Sequence, residues 1–546
     1  MLKNYRRLNR LAGAVVMSLV ALSTVAQVYG LPLQAKAIAD ADAKAARKPA
    51  KRPRLVLSIV VDQLRTDYLE LLCHLMGNDG LRMLADNGVY LRNVDFPVAD
   101  LDALSGTALL YTGAWPSVNG VTSSSVYSTV ELRRVPTLYS RQNGYCADAL
   151  RLSTIADEVM IDGAGLGNVY AVATDAQQSV AMAGHAGSGA IYLDKETGRW
   201  TLASAYERSQ QAEMMLSRRK SLATRIDTMH WKPMLSDLTL YPGIPAHKRQ
   251  YPFRHSFPSR ARDVYEMFAA SARANEEVTA IATDCLRSLA LGKRDAIDML
   301  SVAYTAAPFK YVKDGDYRLE LEDTYLRLDR DIARLVKAAR EVVGADNLVV
   351  MLSSTGYYND ATPDDAKYHI PTGDFSARRA MSLLNSFYSA RYGNADYVSA
   401  FNKGRFYLNR KLLEQKAIPL EEAAAAGKEF LEKMSGVAQA WTTSEVTSSP
   451  LEELQALRRC TDAVTGGDII VELTPGWNLV DDTTTPQTVT PVRLAATMTP
   501  AIILAPGIEA KVIAAPVEAR ALAPSIAGIL RIRAPNGAAA KGIADL

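Results

Sequence analysis

The chain of 546 residues is poor in cysteine, histidine and aromatic side chains, and it carries no large excess of charge of either sign. Its four cysteines, Cys73, Cys146, Cys285 and Cys460, lie far apart and form no Cys-x-x-Cys pair. No cysteine-ligated zinc module or dithiol redox motif is therefore encoded. Two disulfides in an exported chain and buried free thiols are both compatible with that spacing. Of the six histidines, only His247 and His255 lie near each other, and no third ligand follows at a metal-binding spacing. The first 54 residues carry a formal charge of +9 and the chain from Leu55 onward −6, which leaves +3 overall. That acidity excludes the basic footprint of a nucleic-acid binder. No apolar run reaches the roughly 20 residues that span a bilayer, so no membrane span is expected once the N-terminus is removed.

What is present is an ordinary globular composition, 48% hydrophobic and 22% charged, long enough for one large domain or several smaller ones. Residues 1–26 combine a basic start (Lys3, Arg6, Arg7, Arg10) with an apolar run from Leu11 to Ala26 and small residues at Thr24 and Ala26. This pattern reads as a cleaved signal peptide, which implies a periplasmic or otherwise exported protein. Residues 27–54, rich in Ala and Lys, read as a linker. The folded body is expected over 55–546.

Leu55–Val61 (LVLSIVV) is a continuous apolar run of strand length, as a strand buried on both faces requires. A periodic stretch from Tyr68 to Leu84 predicts a helix, and Val89–Val94 a second strand. Thr324–Val343 is spaced as a helix and leads into another buried strand at Asn347–Leu352, and Ala501–Ala505 repeats the strand pattern. Alternation of this kind predicts an α/β fold, a mostly parallel central sheet with helices on both faces. Ligands of such sheets bind beyond the carboxyl ends of the strands, where Asp62 and Ser353–Gly356 are expected.

Six blocks in order carry a resemblance. They are Val60–Leu69 (VVDQLRTDYL), Leu109–Val121 (LLYTGAWPSVNGV), Ser153–Val159, Ala183–Trp200, His369–Phe375 (HIPTGDF) and Ala521–Gly537. Together they resemble exported phosphatases of the alkaline phosphatase superfamily. The likeness is to the monomeric, phosphate-irrepressible type found in Bacteroidetes, which is similar to nucleotide pyrophosphatases and phosphodiesterases. The resemblance implies an alkaline-phosphatase-like sandwich with a cap built from insertions, here roughly 123–262 and 357–473. It also implies two zinc ions held by six carboxylate and imidazole ligands, and a Thr or Ser nucleophile that forms a phospho-enzyme.

Matched position by position, the chemistry-bearing residues depart from that pattern. Asp62 stands where the family has its first ligand. The nucleophile position is Ala103, and Ser105 or Thr107 would need a register shift to replace it. The second aspartate and histidine fall on Ala306 and Lys310, and the neighbouring Asp-His pair on Thr355 and Gly356. No histidine occurs in Thr485–Met498, where the last ligand belongs. The phosphate-contacting asparagine falls on Ser124, and the Lys-x-Arg pair on Asp175 and Gln177. Hydrolysis of phosphate monoesters calls for rate accelerations of up to about 10²¹-fold, and one carboxylate of six ligands does not supply that.

The expectation is therefore a catalytically inactive pseudophosphatase with no cofactor, serving as a binding or assembly module for a protein or glycan partner outside the cytoplasm. The alternative is an active hydrolase with displaced residues and zinc. Two further readings attach to the site. Asp62 is expected to cap the helix starting near Leu64. Asp100 and Asp102 flank the cleft, where they either join Asp62 around a hard cation or serve as a solvated residue and the cap of the Ala103 helix. The basic run Lys248, Arg249, Arg254, Arg260 and Arg262 is either an exposed loop or a surface for an acidic glycan or partner.

Overall fold

The computed structural model describes residues 52–206, 209–313, 315–359, 372–492, 498–544 and 546. The expected signal peptide and all but the last three residues of the linker lie outside them, as does His369.

The central sheet is ten-stranded. Its strands, in chain order, include β1 (Leu55–Asp62), β2 (Val89–Asp95), β3 (Val169–Ala173), β4 (Gly189–Asp194), β5 (Arg199–Leu202), β6 (Asp298–Thr305), β7 (Leu348–Ser354), β8 (Thr499–Leu504) and β9 (Lys511–Ile513). They lie in the order β9-β2-β8-β7-β1-β6-β3-β4-β5, and Val517–Glu518 adds a short strand to β2. Pairing is parallel from β7 through β4. The strands β8 and β5 run antiparallel to their neighbours.

The apolar run of β1 is explained by its place at the centre of this sheet. Leu55, Leu57, Ile59 and Val61 feed the core on one face, and Val56 and Val60 feed the core on the other. Each face is covered by helices. Six of them are α1 (Thr66–Leu72), α2 (Leu81–Asn87), α3 (Ala103–Thr112), α4 (Ala176–Ala183), α5 (Ala272–Ser288) and α6 (Arg318–Val343).

Two expectations are corrected here, and one open alternative is decided. The stretch from Tyr68 to Leu84 is two helices, α1 and α2, because Met76–Gly80 (MGNDG) breaks the run. Asp329 on α6 reaches into that break, its carboxylate accepting from Gly77 N at 2.9 Å and Leu81 N at 2.7 Å. The region 123–262 is not one cap insertion, since β3, β4 and β5 within it build the edge of the central sheet. No disulfide forms among the cysteines: all four are free, Cys73 exposed and the other three buried.

Residues Gly373–Val492, which overlap the second expected insertion (357–473), carry sheets and a core of their own. They hold a three-stranded and a four-stranded sheet, and the core includes Phe375, Leu384, Tyr388, Phe401, Phe406 and Ile469. In the four-stranded sheet, Val398–Asn402 and Arg405–Leu408 form a hairpin whose two turn residues, Lys403 and Gly404, have φ of 48° and 77°. Positive φ at both turn positions matches the twist of a tight hairpin. Glycine adopts it freely and lysine does not.

Candidate functional site

The strands β1, β6 and β7 end at one level, with Asp62 in register with Thr305 and Val61 with Ser354. These carboxyl ends form the floor of the cleft expected from the topology.

Asp62 faces the end of β7. Its Oδ1 accepts from Thr355 Oγ1 at 2.8 Å, and Gln63 Nε2 stands 3.4 Å from Oδ2. The Thr355 oxygen in turn accepts from Gln63 N at 3.1 Å, and the Tyr357 hydroxyl is a further partner of the carboxylate. Desolvation pushes the Asp62 carboxyl up to about 6, partly opposed by the hydrogen bonds from Thr355, Tyr357 and Gln63. The expected helix cap is not made. α1 starts at Thr66 behind Arg65, with no side-chain cap. The chain passes through Gln63 at φ 60° first, so the carboxylate is turned away from the helix.

Asp102 closes the other side of the cleft, and both of its oxygens are engaged. Oδ1 accepts from Ser105 N and Ser105 Oγ, each at 2.9 Å, completing a capping box at the start of α3. Oδ2 accepts from Ser124 N at 2.7 Å and from Lys403 Nζ at 2.6 Å. Burial opposes charge on Asp102, but the Lys403 ammonium and the N–H groups of Ser105 and Ser124 outweigh it. They hold the carboxyl far below the usual range. Burial likewise opposes charge on Lys403, and Asp102 followed by Asp100 outweighs it, so its pKa is raised. Asp100 is partly exposed and acts on this lysine through its charge. Among the described residues, no group of three or more His, Cys, Asp or Glu is arranged to hold a metal ion.

The remaining residues that the sequence comparison singled out are tied to the fold. Ala103 is the first residue of α3, half-buried at the cleft. Neither nearby hydroxyl faces the cleft: Ser105 is locked in the capping box, and Thr107 Oγ1 donates to Ala103 O at 2.6 Å and accepts from Gln178 Nε2 at 3.1 Å. Gln177 accepts from Leu138 N and donates to Ser124 O, both at 2.9 Å. Asp175 caps α4 through Gln178 N. Ser124, Gln177 and Asp102 thus form one chain of hydrogen bonds, pinned to the cap by Lys403.

Among the described residues, the donor set at the matched positions does not fit a dinuclear zinc centre. Thr355 is fully buried and already bonded to Asp62. Gly356 has φ 86°, and a Cβ built there would stand 2.3 Å from the Phe96 ring, so no imidazole fits. Ala306 carries no ligand atom, and Lys310 is a cation facing the Tyr311 ring. No step is routed through zinc.

Elsewhere the other candidates resolve as structure. His255 Nε2 lies 3.0 Å from Glu320 Oε1, and Lys248 is buried on the same carboxylate at 2.7 Å. Lys248 therefore does not belong to an exposed basic surface, whereas Arg249, Arg254 and Arg260 remain exposed. Sequence reasoning missed Lys403. The turn signal at Asn402–Gly404 is legible, but nothing in spacing connects it to a carboxylate 301 residues away.

Comparison with known proteins agrees with this architecture. A protein of Myroides odoratus named calcium-transporting ATPase is 23% identical over 442 residues, covering 75% of this chain and 79% of its own. Alkaline phosphatase PafA of Elizabethkingia meningoseptica is 23% identical over 423 residues, covering 74% and 77%. The crystal structure of wild-type PafA superposes with a TM-score of 0.76 at 21% identity, over 91% of this chain and all of that one, which establishes the fold. Residues 56–494 match the model of the type I phosphodiesterase / nucleotide pyrophosphatase family, and with the strand order and cleft just described, the chain belongs to that family within the alkaline phosphatase superfamily.

Proposed function

We propose that this protein is an exported, non-catalytic member of the superfamily that serves as a binding or assembly module outside the cytoplasm. The observation that carries the reading is the Asp102–Lys403 pair beside Ala103. Where the family places a nucleophile and its metals, this chain has a methyl group, a carboxylate spent on backbone N–H groups, and an ammonium delivered by its own cap. Phosphoryl transfer needs groups aimed at a developing negative charge, and the acids Asp62, Asp100 and Asp102 face the cleft with Lys403 as counter-charge. A phosphate ester would meet a field of the wrong sign.

The relatives named alkaline phosphatases favour the opposite reading, an active metal-dependent phosphoric ester hydrolase. One experiment separates the two. The mature protein, purified without chelators and offered Zn²⁺, Mg²⁺ and Ca²⁺, is analysed for bound metal and assayed with an aryl phosphate monoester and diester. Substoichiometric metal and no turnover are expected. Stoichiometric zinc with turnover would overturn the reading.

A further inference from the structure

Away from the cleft, His185 stands between two acceptors. It lies in the turn that leads from α4 into β4, just after Gly184 ends the helix at φ 70°. Its Nε2 is 2.9 Å from Leu150 O, and its Nδ1 is 3.2 Å from Asp157 Oδ2. A backbone carbonyl only accepts. The Asp157 carboxylate is already filled with donors, since Oδ2 takes Thr154 N at 2.8 Å and Oδ1 takes Ala186 N at 2.8 Å. A neutral imidazole has one N–H and one lone pair, so it serves one of these partners and sets its lone pair against the other. Only the imidazolium, with two N–H groups, satisfies both.

The surrounding charges favour that form. The hydrogen bond to Asp157 raises the His185 pKa; burial opposes it, and the Asp157 charge, the Leu150 carbonyl and the Asp148 charge add to it. Burial opposes charge on Asp157, and the His185 ring with the Thr154 and Ala186 N–H groups outweighs it, so its pKa is lowered. Glu158, next on the helix Ile155–Asp162, is paired with Arg533 at 2.8 Å. Burial pushes Tyr206 and Cys146 up, which keeps both neutral. The ring is 43% exposed while Asp157 is 4% exposed, so solvent reaches the imidazole and not the carboxylate. On that open side, His185 and Ser188 wall a cavity of about 610 Å³ with Tyr170 and Tyr206. Leu150 closes a turn onto Ala147 O at 2.8 Å. The next residue, Arg151, reaches Asp462 of Gly373–Val492 at 2.7 Å.

We propose that His185 is a proton-operated clasp that fastens the Ala147–Leu150 turn to the capped start of the helix Ile155–Asp162. With both ring nitrogens protonated the clasp is shut. When the proton leaves to solvent, Nδ1 keeps its hydrogen bond to Asp157 and Nε2 turns a lone pair on Leu150 O. The ring then swings toward the cavity and the turn is released. Because the folded pKa is raised, the stabilisation is fully present below the unfolded value of about 6.5 and is lost as pH rises through the folded value.

The test is NMR titration of the mature protein carrying ¹⁵N in its histidine rings, beside amide hydrogen exchange read by mass spectrometry. The His185 signal, assigned through His185→Gln, should titrate above about 6.5 and show the Nδ1–H tautomer on the alkaline side. Protection of residues 147–150, corrected for the intrinsic rate, should fall about tenfold or more across that titration. In His185→Gln the same residues should be weakly protected at both ends, with no pH dependence left. His230→Gln, at an exposed ring, should behave as the parent. A His185 pKa at or below about 6.5, the Nε2–H tautomer on the alkaline side, or protection of 147–150 that is constant through the titration would overturn the proposal. The exchange of 147–150 is read on the parent protein, so the clasp is open to refutation even where His185→Gln folds poorly.

Discussion

Removing the Lys403 charge tests whether the cap supplies the cleft with its counter-charge. Asn is as good an N-cap as Asp, so Asp102→Asn removes the charge while keeping an acceptor for Ser105 N. Lys403→Met removes the ammonium while keeping most of the stem. The pair lies at 2.6 Å with side chains 33% and 15% exposed, between a surface bridge worth about 0–1 kcal/mol and a buried one whose rupture costs about 3–5 kcal/mol. Each single variant should therefore lose about 1–2 kcal/mol in urea unfolding. The double variant should lose less than the sum, with a coupling of about 1 kcal/mol.

The pH dependence has a definite sign. Asp102 is depressed in the folded state, so its contribution is fully present above its unfolded pKa of about 3.9 and is lost as pH falls through the lower folded value. Lys403→Met should flatten that acid limb. A coupling below about 0.3 kcal/mol at low salt, within the scatter of independent sites, would refute the argument that Lys403 compensates Asp102.

Two other outcomes follow from the packing. Gly106→Ala should destabilise the protein by more than about 2 kcal/mol, because a Cβ there would meet the Thr355 carbonyl oxygen at 2.1 Å and push α3 off the end of β7. A thermal melt within a degree of the parent would contradict that close approach. Titration of native protein with an aromatic disulfide should label one thiol, Cys73, and should reach four only after unfolding, because Cys146, Cys285 and Cys460 are buried. Two or more fast native thiols would refute it.

Much of the fold was legible because burial on both faces leaves a mark in composition. The runs LVLSIVV and LVVML are apolar but for Ser58, and both lie in central strands. The edge was harder to read. β3 is only five residues long, too short for periodicity to separate it from a loop, so residues 123–262 read as one insertion although β3, β4 and β5 belong to the central sheet. The break between α1 and α2 is half visible as two glycines in MGNDG, but what holds it is Asp329 on a helix about 250 residues further on.

At the site the sequence by itself determined which residue types stand at the positions matched to the family. Ala103, Ala306 and Gly356 carry no nucleophile or ligand atom, a fact that depends on residue identity and on no geometry. Only the tertiary structure decided what took that place. Asp62 bonds to Thr355 and not to a helix end because Gln63 turns the chain. Asp102 is neutralised by Lys403 because a cap hairpin is folded down onto the start of α3. Pairings of this kind are made in three dimensions between segments hundreds of residues apart, and local propensity carries no record of them.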